Sequence, residues 1–239
     1  MVIAGLEKLS LIDYPGHLSA IVFTQGCNFR CHYCYNPMLV LPQRADKGKY
    51  GQEGSPYISE ESLLSFLRER QGKLNGVVIT GGEPTLHKDL AAFIEKIKTL
   101  GYDVKLDTNG TNPKLLKHLI EKKLIDYIAM DLKGPISSYQ ELVNVELNFL
   151  NIEKSAKMIR ESGVDYEFRT TVVPRLITEE KIEEMAKFLE GSKKWYLQKF
   201  KSETELVNNS YRNIKTYTDK EMDALVEIAK KYVKLVKWR

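Results

Sequence analysis

The chain has 239 residues, 43% hydrophobic and 28% charged, which suits one ordinary globular domain with a sizeable core. The net charge is +4 and the basic residues are dispersed rather than striped, so the sequence calls for no nucleic-acid partner. No apolar run approaches the roughly 20 residues that cross a bilayer, and the first residues lack a signal-peptide core; a cytoplasmic protein without membrane contact is expected.

Strand-like and helix-like segments alternate along the chain. Residues 1–17 are expected to form an N-terminal hairpin or an extra strand. Leu18–Thr24 is an apolar, β-branched run and the first regular strand. A loop from Gln25 to Pro37 carries all the cysteines. Residues 42–57, rich in Gly, Lys, Pro and Gln, are expected to be an exposed insert. Ser59, followed by two glutamates, starts a helix with Leu63, Leu64 and Leu67 on one face. Val77–Thr80 is a strand that runs into Gly81-Gly82, and the next helix, from Asp89 to Leu100, is closed by Gly101. Asp103–Asp107 is a strand, and Pro113 opens the helix after it. Tyr127–Met130, Tyr166–Val173 and Trp195–Phe200 are strands, separated by helices over 150–162 and 178–191. Thr218 and Glu221 form a capping box for the last helix. About six β/α units imply a parallel sheet with right-handed crossovers. Six are too few for an eight-fold barrel, so a single α/β domain, a partial (β/α)6 TIM-like barrel, is expected over 1–239, with a doubly wound sheet as the other solution.

There are 3 cysteines, Cys27, Cys31 and Cys34, in the spacing C-x3-C-x2-C. So tight a group reads as a ligand cluster in a reducing compartment, not as a disulfide framework. Three thiolates can hold three corners of an iron–sulfur cube, which normally takes four cysteines. The chain has no fourth, so one iron would be open to a small molecule, as at catalytic metal sites. A zinc site of Cys3His type, completed by His32 or His17, is the alternative. Asp107 and Asp131 end two neighbouring strands on the side where β/α barrels carry their sites, although aspartate also forms turns there. Gly81 and Gly82 would let a ligand approach the backbone, and Glu83 could face a ligand ammonium. His17, His87 and His118 carry no clear signal.

The cysteine spacing, with Tyr33 before the last cysteine and a strand just ahead, resembles the signature of the radical S-adenosylmethionine (SAM) superfamily. Thr80-Gly81-Gly82-Glu83-Pro84 at the next strand end resembles its second mark. The resemblance implies a [4Fe–4S] cluster on Cys27, Cys31 and Cys34. SAM would chelate the open iron and be cleaved reductively, and the resulting 5′-deoxyadenosyl radical would take a hydrogen atom from the substrate. It places Tyr33, Cys34, Tyr35, Gly81, Gly82, Glu83, Asp107, Asp131, Leu132, Lys133, Arg169 and Thr171 around SAM. Leu106–Gly110 (LDTNG) and Ala129–Lys133 (AMDLK) are similar to strand ends of pyruvate formate-lyase activating enzymes. That likeness implies a monovalent-cation site of Asp107, Thr108, the Met130 carbonyl and Asp131. Lys133 would lie near the SAM carboxylate, and Arg169 and Thr171 near the adenosyl group. Where that family has a SAM-contacting histidine after its last strand, this chain has Gln198-Lys-Phe-Lys201, so Gln198 or Lys201 would substitute.

The stretch from Gly5 to Gly16, continued to Pro37, resembles the activating proteins of anaerobic ribonucleoside-triphosphate reductase. This implies a large glycyl-radical enzyme as protein substrate and reduced flavodoxin or ferredoxin as electron donor. The Ile12–Gly16 turn and the 42–57 insert would then offer partner surfaces. The other readings are an activator of a pyruvate formate-lyase type enzyme, a small-molecule enzyme such as 7-carboxy-7-deazaguanine synthase, and a zinc-binding module without catalysis.

Overall fold

The computed structural model describes residues 1–40 and 57–239. The insert expected at 42–57 lies outside these residues, apart from Tyr57. Eight strands form one sheet in sequence order: β1 (Ile3–Ser10), β2 (Ser19–Thr24), β3 (Gly76–Gly81), β4 (Asp103–Thr108), β5 (Tyr127–Asp131), β6 (Asp165–Val172), β7 (Lys194–Lys199) and β8 (Leu235–Trp238). β1 runs antiparallel to β2. Every later neighbour is parallel. β1 and β8 are the two edges, so the sheet is the expected partial α/β barrel, left open along one side.

Among the described residues the α-helices are α1 (Pro37–Val40), α2 (Glu60–Glu69), α3 (Leu90–Thr99), α4 (Pro113–Glu121), α5 (Tyr139–Val143), α6 (Phe149–Glu161), α7 (Glu179–Phe188) and α8 (Asp219–Ala229). Their starts follow local chemistry. The Ser59 hydroxyl accepts from the Ser62 N–H at α2. Thr218 and Glu221 close a reciprocal capping box at α8. Sequence reasoning stopped at six regular strands; the structure adds β8, fed by α8 and paired with β7. Four residues with an exposed lysine at the third position carry too short a pattern to read as a strand.

Strand alternation divides the side chains into two layers. Ala20, Val22, Val77, Ile79, Val104, Leu106, Ile128, Met130, Phe168, Trp195 and Leu197 join the main core beneath the helices. Each large aliphatic side chain buried there contributes about 1.5–3 kcal/mol. Ile21, Val78 and Tyr127 face the other way and pack with Tyr14 in a small inner cluster. Tyr14 comes from the β1–β2 turn, is 2% exposed and stacks on His17 with ring centroids 3.9 Å apart. A Cβ on Gly76, the first residue of β3, would fall 2.7 Å from the Tyr14 ring. Tyr14 therefore closes the barrel where the parallel strands begin, opposite the strand ends that carry the cysteines. Its neighbour Ile12 is 83% exposed. No helix among the described residues is long and apolar enough to cross a membrane.

Candidate active site

β2 ends at Thr24 and delivers the chain into the cysteine loop, which the rest of the protein pins on several sides. The Gly26 N–H donates to the Leu39 carbonyl (2.8 Å), and the Glu83 N–H donates to the Gly26 carbonyl (2.8 Å). The Arg30 guanidinium donates to the Cys27 and Phe29 carbonyls at 2.6 and 2.7 Å. His87 meets the Gln25 carbonyl at 3.0 Å. Asn28 bridges to the end of β4, donating to the Thr111 hydroxyl (2.9 Å) and accepting from the Asn109 amide (2.8 Å). From the far end of the sequence, the Val207 N–H reaches the Cys34 carbonyl (3.1 Å) and the Asn208 N–H reaches the His32 carbonyl (2.9 Å).

All three cysteines are free thiols and line one cavity of about 280 Å³ at the strand ends. Tyr33, Tyr35, Gly81, Gly82, Glu83 and Asp107 share its wall. So do Thr108, Asp131, Lys133, Arg169, Thr171 and Gln198. The cysteine loop and the ends of five strands, β3 to β7, thus bring together nearly every residue singled out from the sequence. Met130 and Leu132 do not belong to the wall; their side chains are fully buried in the core on the opposite face. Lys201 is also off the wall; its N–H donates to the Tyr35 hydroxyl (2.9 Å), which leaves Gln198, beside Thr171 in the β6–β7 register, facing the site.

Burial raises the Cys27 thiol to about 11 and the Cys31 thiol to about 12, and it raises Cys34 as well. The same sulfurs meet groups that favour thiolate. The Phe29 N–H donates to Cys27 Sγ (3.3 Å), the Asn36 backbone does so to Cys34, and the Lys133 ammonium lowers all three. The histidines offered for a zinc site point elsewhere. His32 stacks on Tyr211 at 5.8 Å. His17 binds Asp103 (3.1 Å) at the opposite end of the strands. Three thiols without a fourth protein ligand among the described residues fit a cube with one open corner better than a closed tetrahedral metal site.

The glycines have a reason that sequence did not reveal. A Cβ on Gly82 would fall 1.9 Å from the Gly26 carbonyl oxygen, and one on Gly81 would fall 2.2 Å from the Thr24 nitrogen. Both clashes are with the chain's own backbone, where β3 presses against the start of the cysteine loop. Gly82→Ala is expected to destabilise the fold by more than about 3 kcal/mol, read as a shifted denaturation midpoint with unchanged slope.

Glu83 is 1% exposed. It accepts from Thr85, from the Thr108 hydroxyl (2.7 Å) and from the Asn109 N–H (2.6 Å). Burial raises its carboxyl, and these donors oppose the rise. Its visible work is to tie the ends of β3 and β4 together; only Oε2, which takes the single Asn109 bond, keeps capacity for a ligand.

A chain of ions crosses the cavity floor. Arg169 donates from Nε to Asp131 (2.8 Å) and from an Nη to Asp107 (3.0 Å). Lys133 adds a bond to Asp131 (3.1 Å), and Lys105 pairs with Asp107 from below. Burial alone would raise both carboxyls; Arg169 with Lys105 at Asp107, and Arg169 with Lys133 at Asp131, override it and hold both below the usual range. Lys105 escaped sequence reasoning. Its signal was a lysine at the inward position of the β4 alternation Val104-Lys105-Leu106-Asp107.

Residues 21–189 match the family model for the radical SAM superfamily. The chain belongs to the radical SAM superfamily. Membership implies a [4Fe–4S] cluster and SAM. A Methanocaldococcus jannaschii protein is 34% identical over 236 residues, covering 97% of this chain and 92% of its own. A second protein of that organism is 30% identical over 220 residues, covering 89% of this chain and 77% of its own. Both carry a provisional assignment as glycyl-radical enzyme activating enzymes. Among solved structures, Streptococcus suis SuiB superposes with a TM-score of 0.66 at 18% identity, over 92% of this chain and 48% of SuiB. That likeness shows the radical SAM fold alone.

Proposed function

We propose that this radical SAM protein is an activating enzyme that installs a glycyl radical on a large partner, and that the partner is anaerobic ribonucleoside-triphosphate reductase. The observation that carries the reading is the gathering of three cysteines without a fourth, beside the ion chain, in one cavity at the strand ends of an open barrel. Two relatives with the same provisional assignment span most of the chain and support it. So does the stretch from Gly5 to Pro37.

Cys27, Cys31 and Cys34 would hold the cluster, which supplies an electron for homolytic cleavage of SAM and so hydrogen abstraction from a glycine Cα. The protein's own part is placement. Arg30 and the Phe29 N–H fix the loop at Cys27. Tyr33 is buried and donates its hydroxyl to the Lys133 carbonyl (3.2 Å), which joins the cysteine loop to the end of β5. Lys133 and Arg169 are only partly exposed, so each could turn one donor to a carboxylate or ribose hydroxyl while keeping its aspartate. Thr171 and Gln198 offer neutral polar groups on the far wall. Reduced flavodoxin or ferredoxin is the proposed electron donor.

The test is anaerobic reconstitution with iron and sulfide, reduction, and measurement of 5′-deoxyadenosine, followed by electron paramagnetic resonance on candidate partners. A glycyl doublet on the reductase supports the full reading. A doublet only on a pyruvate formate-lyase type enzyme changes the partner. SAM cleavage stimulated by the substrate of 7-carboxy-7-deazaguanine synthase, with no doublet, replaces the activase by a small-molecule enzyme.

A further inference from the structure

Three of the four groups expected to hold a monovalent cation are already engaged within the protein. Asp107 gives one oxygen to Lys105 and the other to Arg169 (3.0 Å). Asp131 gives one oxygen to Arg169 (2.8 Å) and the other to Lys133 (3.1 Å). The Thr108 hydroxyl donates to Glu83 (2.7 Å) and accepts from the Gly110 N–H (3.1 Å). Met130 lies inside the sheet with its side chain in the core. Each oxygen of the two aspartates already faces a cationic side chain, so a metal ion here would have to displace or repel one of them. The residues present do not fit the cation.

The three cations differ in freedom. Lys133 is 20% exposed and Arg169 12%, so both have room to meet a ligand. Lys105 is 1% exposed. It sits on β4 between Val78 of β3 and Tyr127 of β5, both in the inner cluster. Its ammonium has Asp107 as partner and no route to solvent. A buried lysine survives only with such a partner, and a buried aspartate needs a matching charge in turn.

We propose that Lys105 takes the place of the monovalent metal: a tethered cation, held under the site by the barrel interior, that fixes Asp107 for its contact with Arg169. Lys105 is a positioning residue that touches no substrate. The inference rests on the reading of this cavity as a SAM site and adds that SAM binding here requires neither sodium nor potassium.

The test uses the reconstituted full chain. SAM affinity is measured in tetramethylammonium, sodium and potassium salts at matched ionic strength, and protein-dependent broadening of the sodium-23 resonance is recorded without SAM. The expected result for the natural chain is equal SAM affinity in all three salts and no saturable broadening. Lys105→Met keeps the apolar stem and removes the charge. It is expected to lose about 10- to 100-fold in SAM affinity in tetramethylammonium and to regain most of it with sodium or potassium. A purely structural lysine would show no such rescue. Saturable sodium broadening by the natural chain, or affinity that rises with potassium, overturns the proposal. So does a folded Lys105→Met whose loss no cation repairs. If that variant does not fold, the natural chain's sodium line width decides alone. That line width also makes no reference to SAM, so failure of SAM to bind in any salt would count against the functional reading rather than against the tethered cation.

Discussion

Arg169→Met is expected to lower the stability of the fold by about 3–5 kcal/mol, because it takes one of two cationic partners from each of two carboxylates, the buried Asp107 and the half-buried Asp131. For a chain of this length that corresponds to a fall of about 6–20 °C in melting temperature. The methionine keeps most of the apolar stem, so the loss reports charge rather than a cavity. Adding Asp131→Asn should return part of the loss, since it removes one carboxylate left with a single cationic partner; a double variant as unstable as the single one would show that packing was responsible. The pH dependence has a definite sign. Both aspartates are depressed in the folded state, so their stabilisation is complete above the unfolded value of about 4 and drains away as pH falls through the lower folded values. The natural chain should lose stability steeply in acid. In Arg169→Met that acid limb should flatten, which thermal melts at a series of pH values will read.

Cys31→Ala should separate chemistry from folding. Cys31 is 6% exposed and behaves as a small apolar residue in the metal-free chain, so its loss costs that state only about 1 kcal/mol. Reconstitution should then give no stable four-iron cluster, and 5′-deoxyadenosine should fall to background. Retained cleavage would remove the cysteine loop from the chemistry. A large fall in metal-free stability would make Cys31 a packing residue instead.

Much of this site could be read from the sequence because its parts are local. The cysteine spacing, the Gly-Gly-Glu turn and two aspartates at strand ends each occupy a few adjacent residues, and β/α alternation alone brings strand ends to one side. What stayed hidden depends on partners distant in sequence. Glycine at 82 looked like room for a ligand, whereas the atom it accommodates is the Gly26 carbonyl. Glu83 looked like a free anion, yet Thr85, Thr108 and Asn109 have claimed it. Leu132 fell off the wall because a side chain one place along the chain points to the other face. Lys105 was passed over because its burial is fixed by Val78 and Tyr127, which no local pattern places beside it. β8 was missed because four residues are too few to show a period.

The hydrogen bonds that hold the cysteine loop also set an order of events during synthesis. The cysteines leave the ribosome early, within the first 34 residues. Some of the loop's fastenings are made much later: Lys201 meets Tyr35 across 166 positions, and Asn208 meets His32 across 176. Contacts of such long sequence separation form late in folding. The thiols therefore spend most of translation in a loop held only by its earlier partners, Leu39, Glu83, His87 and Asn109, and gain the last fastenings after β7 has been made. A chain that ends before residue 200 lacks these last bonds and is expected to retain a reconstituted cluster less well than the full chain.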